Sequence, residues 1–180
     1  TTGQEDYRIA RGGSLAFSAS YPCLPNTLVK GFQRTFSTPN GTRFIALDTR
    51  TFRDSSKGTM LGPEQLQWLL DQLTLAKVEN AKHVFVVTTV SFVSALEKIR
   101  DSWPGFERER QHIIDHIAKL DLSNVAIMSG DLHEFYASGV HLDPGNKKTP
   151  IIAREFGTGA LSSHTGRVEE YNDVVEALGN

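Results

Sequence analysis

The sequence predicts a layered α/β or α+β domain, on three observations. Short β-rich runs alternate with amphipathic helical runs, one β-rich run is apolar on both faces, and two strand-like runs follow close together near the end. The 180 residues suit a single domain, 1–180, and 39% hydrophobic against 22% charged residues is a globular composition. A formal net charge of −2 offers no broad basic surface to nucleic acid. There is no run of about 18 apolar residues to span a membrane. One cysteine, Cys23, excludes an internal disulfide framework and a Cys-rich zinc module. The chain opens Thr1-Thr2-Gly3 with neither an initiating Met nor a signal peptide, so its start reads as cut, processed or truncated.

Residues 1–31 are rich in Gly, Ser and Pro and read as an irregular lead-in. Order is expected from Phe32-Gln33-Arg34-Thr35-Phe36, an alternating strand that turns at Pro39-Asn40-Gly41 into Arg43 to Asp48. Gly62-Pro63 then starts a helix: Pro suits the first turn, Glu64 complements the helix dipole, and Leu66, Leu69, Leu70 and Leu73 share one face. His83 to Val90 is β-branched and apolar on both sides, which predicts a central strand covered on both faces. A second helix is expected after Pro104, with Phe106, Ile113, Ile114 and Ile117 inward and Glu107, Arg108, Glu109 and Gln111 largely outward. Val125 to Met128 is the next buried strand. Ala137 to Leu142 and Pro150 to Phe156 read as two more strands, joined through Asp143-Pro144-Gly145-Asn146. Glu169 to Leu178 reads as a short terminal helix.

Polar residues that directly follow a buried strand are rigidly held yet exposed at the sheet edge, where α/β proteins place their sites. Ser129-Gly130-Asp131-Leu132-His133 occupies such a place. Gly130 is expected to allow a tight turn, and Asp131 and His133 can converge on one cation pair if Leu132 points away. A carboxylate and an imidazole suit Zn, Mn or Fe, and a carboxylate also suits Ca. Such ions polarise a phosphoryl oxygen and lower the pKa of bound water. The spacing alone leaves another reading open, in which Asp131 caps the turn and His133 is an ordinary loop residue.

Asp48, Arg50 and Arg53 also follow a strand. Arg50 or Arg53 is a candidate phosphate contact, because a guanidinium fork matches phosphate geometry; the alternative is a buried Asp48–Arg ion pair that fixes the loop. Trp103 and Phe106 suit either a pocket wall or the core. His141 and His164 lack metal-motif spacing and read as structural or exposed. No Gly-x-Ser-x-Gly, Gly-x-x-x-x-Gly-Lys-Ser/Thr or His-Glu-x-x-His motif is present. Ser129, Asp131 and His133 lie too close on one turn to act as a triad.

The order of motifs resembles the PhoD-like alkaline phosphatases and phosphodiesterases of the metallophosphoesterase superfamily. The blocks are Leu47-Asp48-Thr49-Arg50-Thr51-Phe52-Arg53-Asp54, Leu61-Gly62-Pro63-Glu64-Gln65-Leu66-Gln67-Trp68-Leu69, Asp101-Ser102-Trp103-Pro104-Gly105-Phe106-Glu107-Arg108-Glu109-Arg110 and Ser129 to His133, with a weaker one at Glu155-Phe156-Gly157-Thr158-Gly159. The resemblance implies that Asp131 and His133 are metal ligands, and the fork of Arg50 makes it the candidate substrate contact beside them. It implies two metal ions, of Fe, Ca, Zn or Mn, a small phosphoester substrate, and hydrolysis by a metal-activated hydroxide. It also implies export, to the periplasm or the medium. The family's earlier ligand motifs are a metal-binding Cys, a Gly-Asp followed by an aromatic, and Asp-Asp-His-Glu with a downstream Asn; none occurs here, and Cys23 stands in the wrong context. The expectation is therefore the C-terminal portion of such an enzyme, partnered by a missing N-terminal half. The alternative is a catalytically incomplete remnant or assembly piece.

Overall fold

The computed structural model describes residues 31–93, 102–133 and 135–159. Residues 1–30 of the lead-in, Cys23, His164 and the helix expected from Glu169 to Leu178 lie outside them. Strands β1 (Arg34–Ser37) and β2 (Thr42–Ala46) form the expected antiparallel hairpin. Its turn closes where the Gly41 N–H donates to the Thr38 carbonyl at 3.0 Å, with Gly41 at φ 84°. Helix α1 (Gly62–Val78) and β3 (His83–Val87) follow, then a 3-10 turn over Trp103–Phe106, α2 (Glu107–Lys119), β4 (Val125–Ser129), β5 (Tyr136–His141) and β6 (Ile151–Gly157).

The strands make one six-stranded sheet in the order β1-β2-β3-β4-β6-β5. Strands β2, β3, β4 and β6 are parallel, and β1 and β5 flank them antiparallel. The two-residue period sorts the side chains between faces. One register row is Ile45, Val86, Ile127, Glu155 and Ser138, and the first four of these are buried. The neighbouring row on the opposite face is Phe36, Phe44, Phe85, Ala126 and Arg154, and none of these is fully buried.

Both helices serve the first face. Leu69, Leu73 and Ala76 of α1 and Ile113, Ile114 and Ile117 of α2 join Ile45, Val84, Val86, Val125 and Ile127 in one core cluster. Each such Leu, Ile or Val contributes about 1.5–3 kcal/mol by leaving water. The expected leucine face of α1 is present, with Leu66 only half-buried and Trp68 and Gln65 added to it. Strand β3 is central, but its expected cover on both faces needs correction. Val84 and Val86 are buried under the helices, whereas Phe85 and Val87 are half-exposed on the other side.

Glu109 is a second correction. It was expected on the outer face of α2, yet it is buried, because its carboxylate serves the entry to α1. Oε1 accepts the N–H groups of Met60 at 3.1 Å and Leu61 at 2.9 Å, and Oε2 takes the Thr59 hydroxyl. Helix α1 has no side-chain cap at Leu61, so these bonds satisfy amides just before its first turn. Glu109→Ala strands two buried amides and should cost about 2–3 kcal/mol, read as a lowered midpoint in urea. A change within about 0.5 kcal/mol would show that water replaces the carboxylate there.

Candidate functional site

The four parallel strands deliver their C-terminal ends to one edge of the sheet. There β2 leads into Leu47-Asp48-Thr49-Arg50, β3 into Thr88-Thr89, β4 into Gly130 to His133, and β6 into Thr158-Gly159. The edge is tied laterally. Leu47 N–H donates to the Val87 carbonyl at 2.9 Å, Thr88 N–H to Met128 at 2.9 Å, and Thr158 N–H to Ser129 at 2.8 Å. The Thr158 hydroxyl donates to the same Ser129 carbonyl at 2.9 Å, and the hydroxyls of Thr49 and Thr89 pair with each other.

The turn after β4 does not depend on Gly130 in the way expected. The residues in left-handed backbone are Asp131, at φ 78°, and His133, at φ 60°. A Cβ on Gly130 would meet only ordinary contacts, at 3.7 Å, from the Thr158 hydroxyl and the Thr89 carbonyl. Left-handed non-glycine residues cost about 1–2 kcal/mol each and persist where the surroundings hold them. Asp131 and His133 are exposed and Leu132 between them is half-buried.

Arg50 and Arg53 lie on the loop that β2 delivers to the same edge. The Arg53 guanidinium is held below its ordinary value first by partial burial and then by the charge of Arg50, while the Asp131 carboxylate offsets part of this. These three charged groups therefore lie within electrostatic reach. Arginine stays protonated regardless, so the shift carries no change of charge.

Asp48 fixes the loop that carries Arg50, and it does so through the main chain. Its carboxylate accepts the N–H groups of Phe32 at 3.0 Å, Arg50 at 3.1 Å and Thr51 at 3.0 Å, and the Thr51 hydroxyl at 2.6 Å. The side-chain amide of fully buried Gln65 closes on the same residue from α1, donating to the Asp48 carbonyl at 2.8 Å and accepting its N–H at 2.8 Å.

Other candidates fall outside the edge. His141 Nδ1 lies 2.8 Å from the Thr149 carbonyl, so that nitrogen carries the proton and the ring holds the β5–β6 connection. Trp103 and Phe106 are core residues, 0% and 2% exposed; Trp103 Nε1 donates to the Thr88 hydroxyl at 3.0 Å.

Beneath the turn lies a buried polar cluster that sequence reasoning missed. Glu155 is fully buried and receives the hydroxyls of Ser129 at 2.5 Å and Tyr136 at 2.7 Å. It also receives the N–H groups of Phe92 at 2.8 Å and Val93 at 2.6 Å. The available signal was parity along β6, because Glu155 shares the inward face with buried Ala153 and Gly157. Gly157 leaves room for the Tyr136 ring: a Cβ there would lie 1.9 Å from Tyr136 Cε1.

Burial, and then the Glu155 charge, push the Tyr136 phenol above its usual range. The unfolded chain then releases this proton first. The associated stability is intact below about pH 10 and is lost as pH rises from there toward the folded value. Melting temperatures from pH 8 to 11 should therefore fall more steeply for the wild type than for Tyr136→Phe. Parallel curves would show that the phenol ionises alike in the folded and unfolded chains.

Asp131 and His133 are the right donor types for two positions of a metal site, and both are exposed at the sheet edge. Among the described residues, no three His, Cys, Asp or Glu side chains gather to hold an ion. The pair fits a corner of a site rather than a whole one. No helix among the described residues is long and apolar enough to cross a membrane.

Comparison with known proteins agrees with this architecture. A family model described as PhoD-like phosphatase matches residues 16–179. Alkaline phosphatase D of Bacillus subtilis (strain 168) is 30% identical over 168 residues, covering 79% of this chain and 28% of that protein. A solved structure described as that of PhoD superposes with a TM-score of 0.72 at 25% identity, covering 87% of this chain and 34% of the other. The chain thus spans about a third or less of the length of these relatives.

Proposed function

The chain belongs to the PhoD-like phosphatase family, and on that premise we propose that it supplies the C-terminal part of a metal-dependent phosphoester hydrolase. The observation that carries this reading is the turn after β4. It presents a carboxylate and an imidazole, Asp131 and His133, from strained backbone at the edge that also receives the loop of Arg50 and Arg53 after β2. In the proposal Asp131 and His133 are metal ligands and Arg50 contacts the phosphate. The bound ions, two of Fe, Ca, Zn or Mn, would supply Lewis acidity and a hydroxide near neutral pH. The chain's own residues orient the ligands and the phosphate. The remaining ligands would come from an N-terminal portion of the same enzyme, since a catalytic zinc site alone takes three protein ligands plus water. Export to the periplasm or medium accompanies this reading and can be checked by fractionating cells that express the native gene.

The test is hydrolysis of nitrophenyl phosphate and bis-nitrophenyl phosphate by the complete enzyme, or by this chain combined with an N-terminal portion. Metal-dependent turnover of either supports the proposal, and the ratio of rates separates monoesterase from diesterase. Absence of turnover with every one of the four metals sinks it.

A second reading is favoured by the sheet face away from the helices: alone, the chain is a catalytically incomplete assembly piece. Parallel strands are ordinarily covered on both faces. Here Phe36, Phe44 and Phe85 stack across three strands at centroid separations of 4.8 and 5.1 Å, with Phe36 53% exposed, and Phe156 on β6 is 43% exposed. Metal analysis of the purified chain discriminates. A stoichiometric, tightly held pair of ions contradicts this second reading, and their absence favours it.

A further inference from the structure

We infer that Glu155 is the positioning residue of the Asp131–His133 turn, clamping the chain on both sides of it through Ser129 and Tyr136. Ser129 is the last residue of β4 and Tyr136 the first of β5, so these two residues bracket the turn. Both hydroxyls meet the same carboxylate oxygen, Oε1, at 2.5 and 2.7 Å, and they lie 3.0 Å from each other. The same carboxylate is fixed from a third direction by the main chain that follows β3, through the N–H groups of Phe92 and Val93. The Ser91 hydroxyl lies 2.8 Å from the Tyr136 oxygen and donates to it, since the single phenolic proton goes to Glu155, and this closes the cluster.

A buried carboxylate is costly unless its lone pairs are engaged, and this one accepts two hydroxyls and two amides. Such a hub is rigid. It anchors each end of a short segment whose residues 131 and 133 both occupy left-handed backbone, a conformation that relaxes when its ends are free. Gly157 belongs to the device, because only a missing Cβ lets the Tyr136 ring lie where its hydroxyl reaches Glu155. Glu155 acts on Asp131 and His133 by fixing where their backbone stands. The inference deepens the reading of the turn as ligand-bearing, but its first test does not depend on that reading.

That test is 15N relaxation of the full chain and of its Glu155→Gln and Tyr136→Phe variants. Glu155→Gln keeps the shape and replaces one acceptor oxygen with a donor that faces other donors. Tyr136→Phe keeps the ring over Gly157 and removes one anchor, so the outcome does not hang on a single variant folding. Order parameters at Asp131, Leu132 and His133 are expected near 0.85 in the wild type and below about 0.6 in the variants, with Val84 to Val87 unchanged. Unchanged values at the turn, or an equal fall at the turn and in β3, would overturn the inference, the latter because it would mark a merely structural residue. Mn2+ titration supplies the second readout: affinity should fall by roughly 10- to 100-fold in the variants while they remain folded. If the wild type, assembled with an N-terminal portion, binds Mn2+ no better than the likewise assembled Asp131→Ala, His133→Ala double variant, the ligand reading fails, and the relaxation data still decide the role of Glu155.

Discussion

Asp131→Ala and His133→Ala, each made in the assembled enzyme, are expected to lower kcat/KM for nitrophenyl phosphate by more than about 100-fold. Each should also release metal. On the proposed ligand roles the magnitude follows from the small number of donors, since among the described residues no three candidate ligands gather and neither side chain has a group at hand to replace it. The backbone complicates alanine, since both positions are left-handed, so part of the loss could come from a relaxed turn. Asp131→Gly separates the two effects. Glycine accepts φ 78° without strain and lacks the carboxylate, so it should be as inactive as alanine. If the glycine variant retains activity within about threefold of wild type, Asp131 is a backbone device and not a ligand.

Trp103→Ala is expected to lower the unfolding free energy by about 3–5 kcal/mol, the range for emptying a large buried aromatic site. Trp103 is fully buried, packs against Phe92 at a centroid separation of 5.2 Å, and gives its indole N–H to Thr88. Its loss would leave a cavity beside the chain that follows β3 and remove the indole donor from the Thr88 hydroxyl, which keeps its own bond to the Val90 carbonyl. Urea unfolding measures this directly. A cost below about 1 kcal/mol would mean that the site collapses onto Phe92 and Phe106.

The elements were legible in sequence wherever period and punctuation agreed. Pro39-Asn40-Gly41 marked the hairpin and Gly62-Pro63 marked the start of α1, both within a residue or two. Legibility failed where the deciding partner lies far along the chain. Glu109 looks like one more charged residue on an outer helical face, because nothing nearby reveals that it receives the amides of Met60 and Leu61, 49 and 48 residues earlier. Glu155 fails in the same way: its donors span Ser91 to Tyr136, and only the order β3-β4-β6-β5 brings them side by side. The apolar character of both faces of β3 was correctly visible, but composition does not say whether a second layer is present to use it.

At the candidate edge, sequence identified residue types and not their supports. Arg50, Asp131 and His133 stood out because carboxylate, imidazole and guanidinium have recognisable chemistry. Gly130 also stood out, and the structure shifts the unusual backbone from it to two residues that follow, Asp131 and His133. A short motif shows which groups are available; the torsions that aim them are set by Ser129, Tyr136 and Glu155.

Gln65 extends the same logic to motion. Its side-chain amide bonds both the carbonyl and the N–H of Asp48, the two contacts a neighbouring strand would make, although it belongs to a helix. The segment bearing Arg50 is thereby geared to α1 rather than left as a free loop. Any slide of α1 along its axis would carry the Arg50 main chain with it, so pressure on the far end of that helix, at Val78, has a mechanical route to the sheet edge.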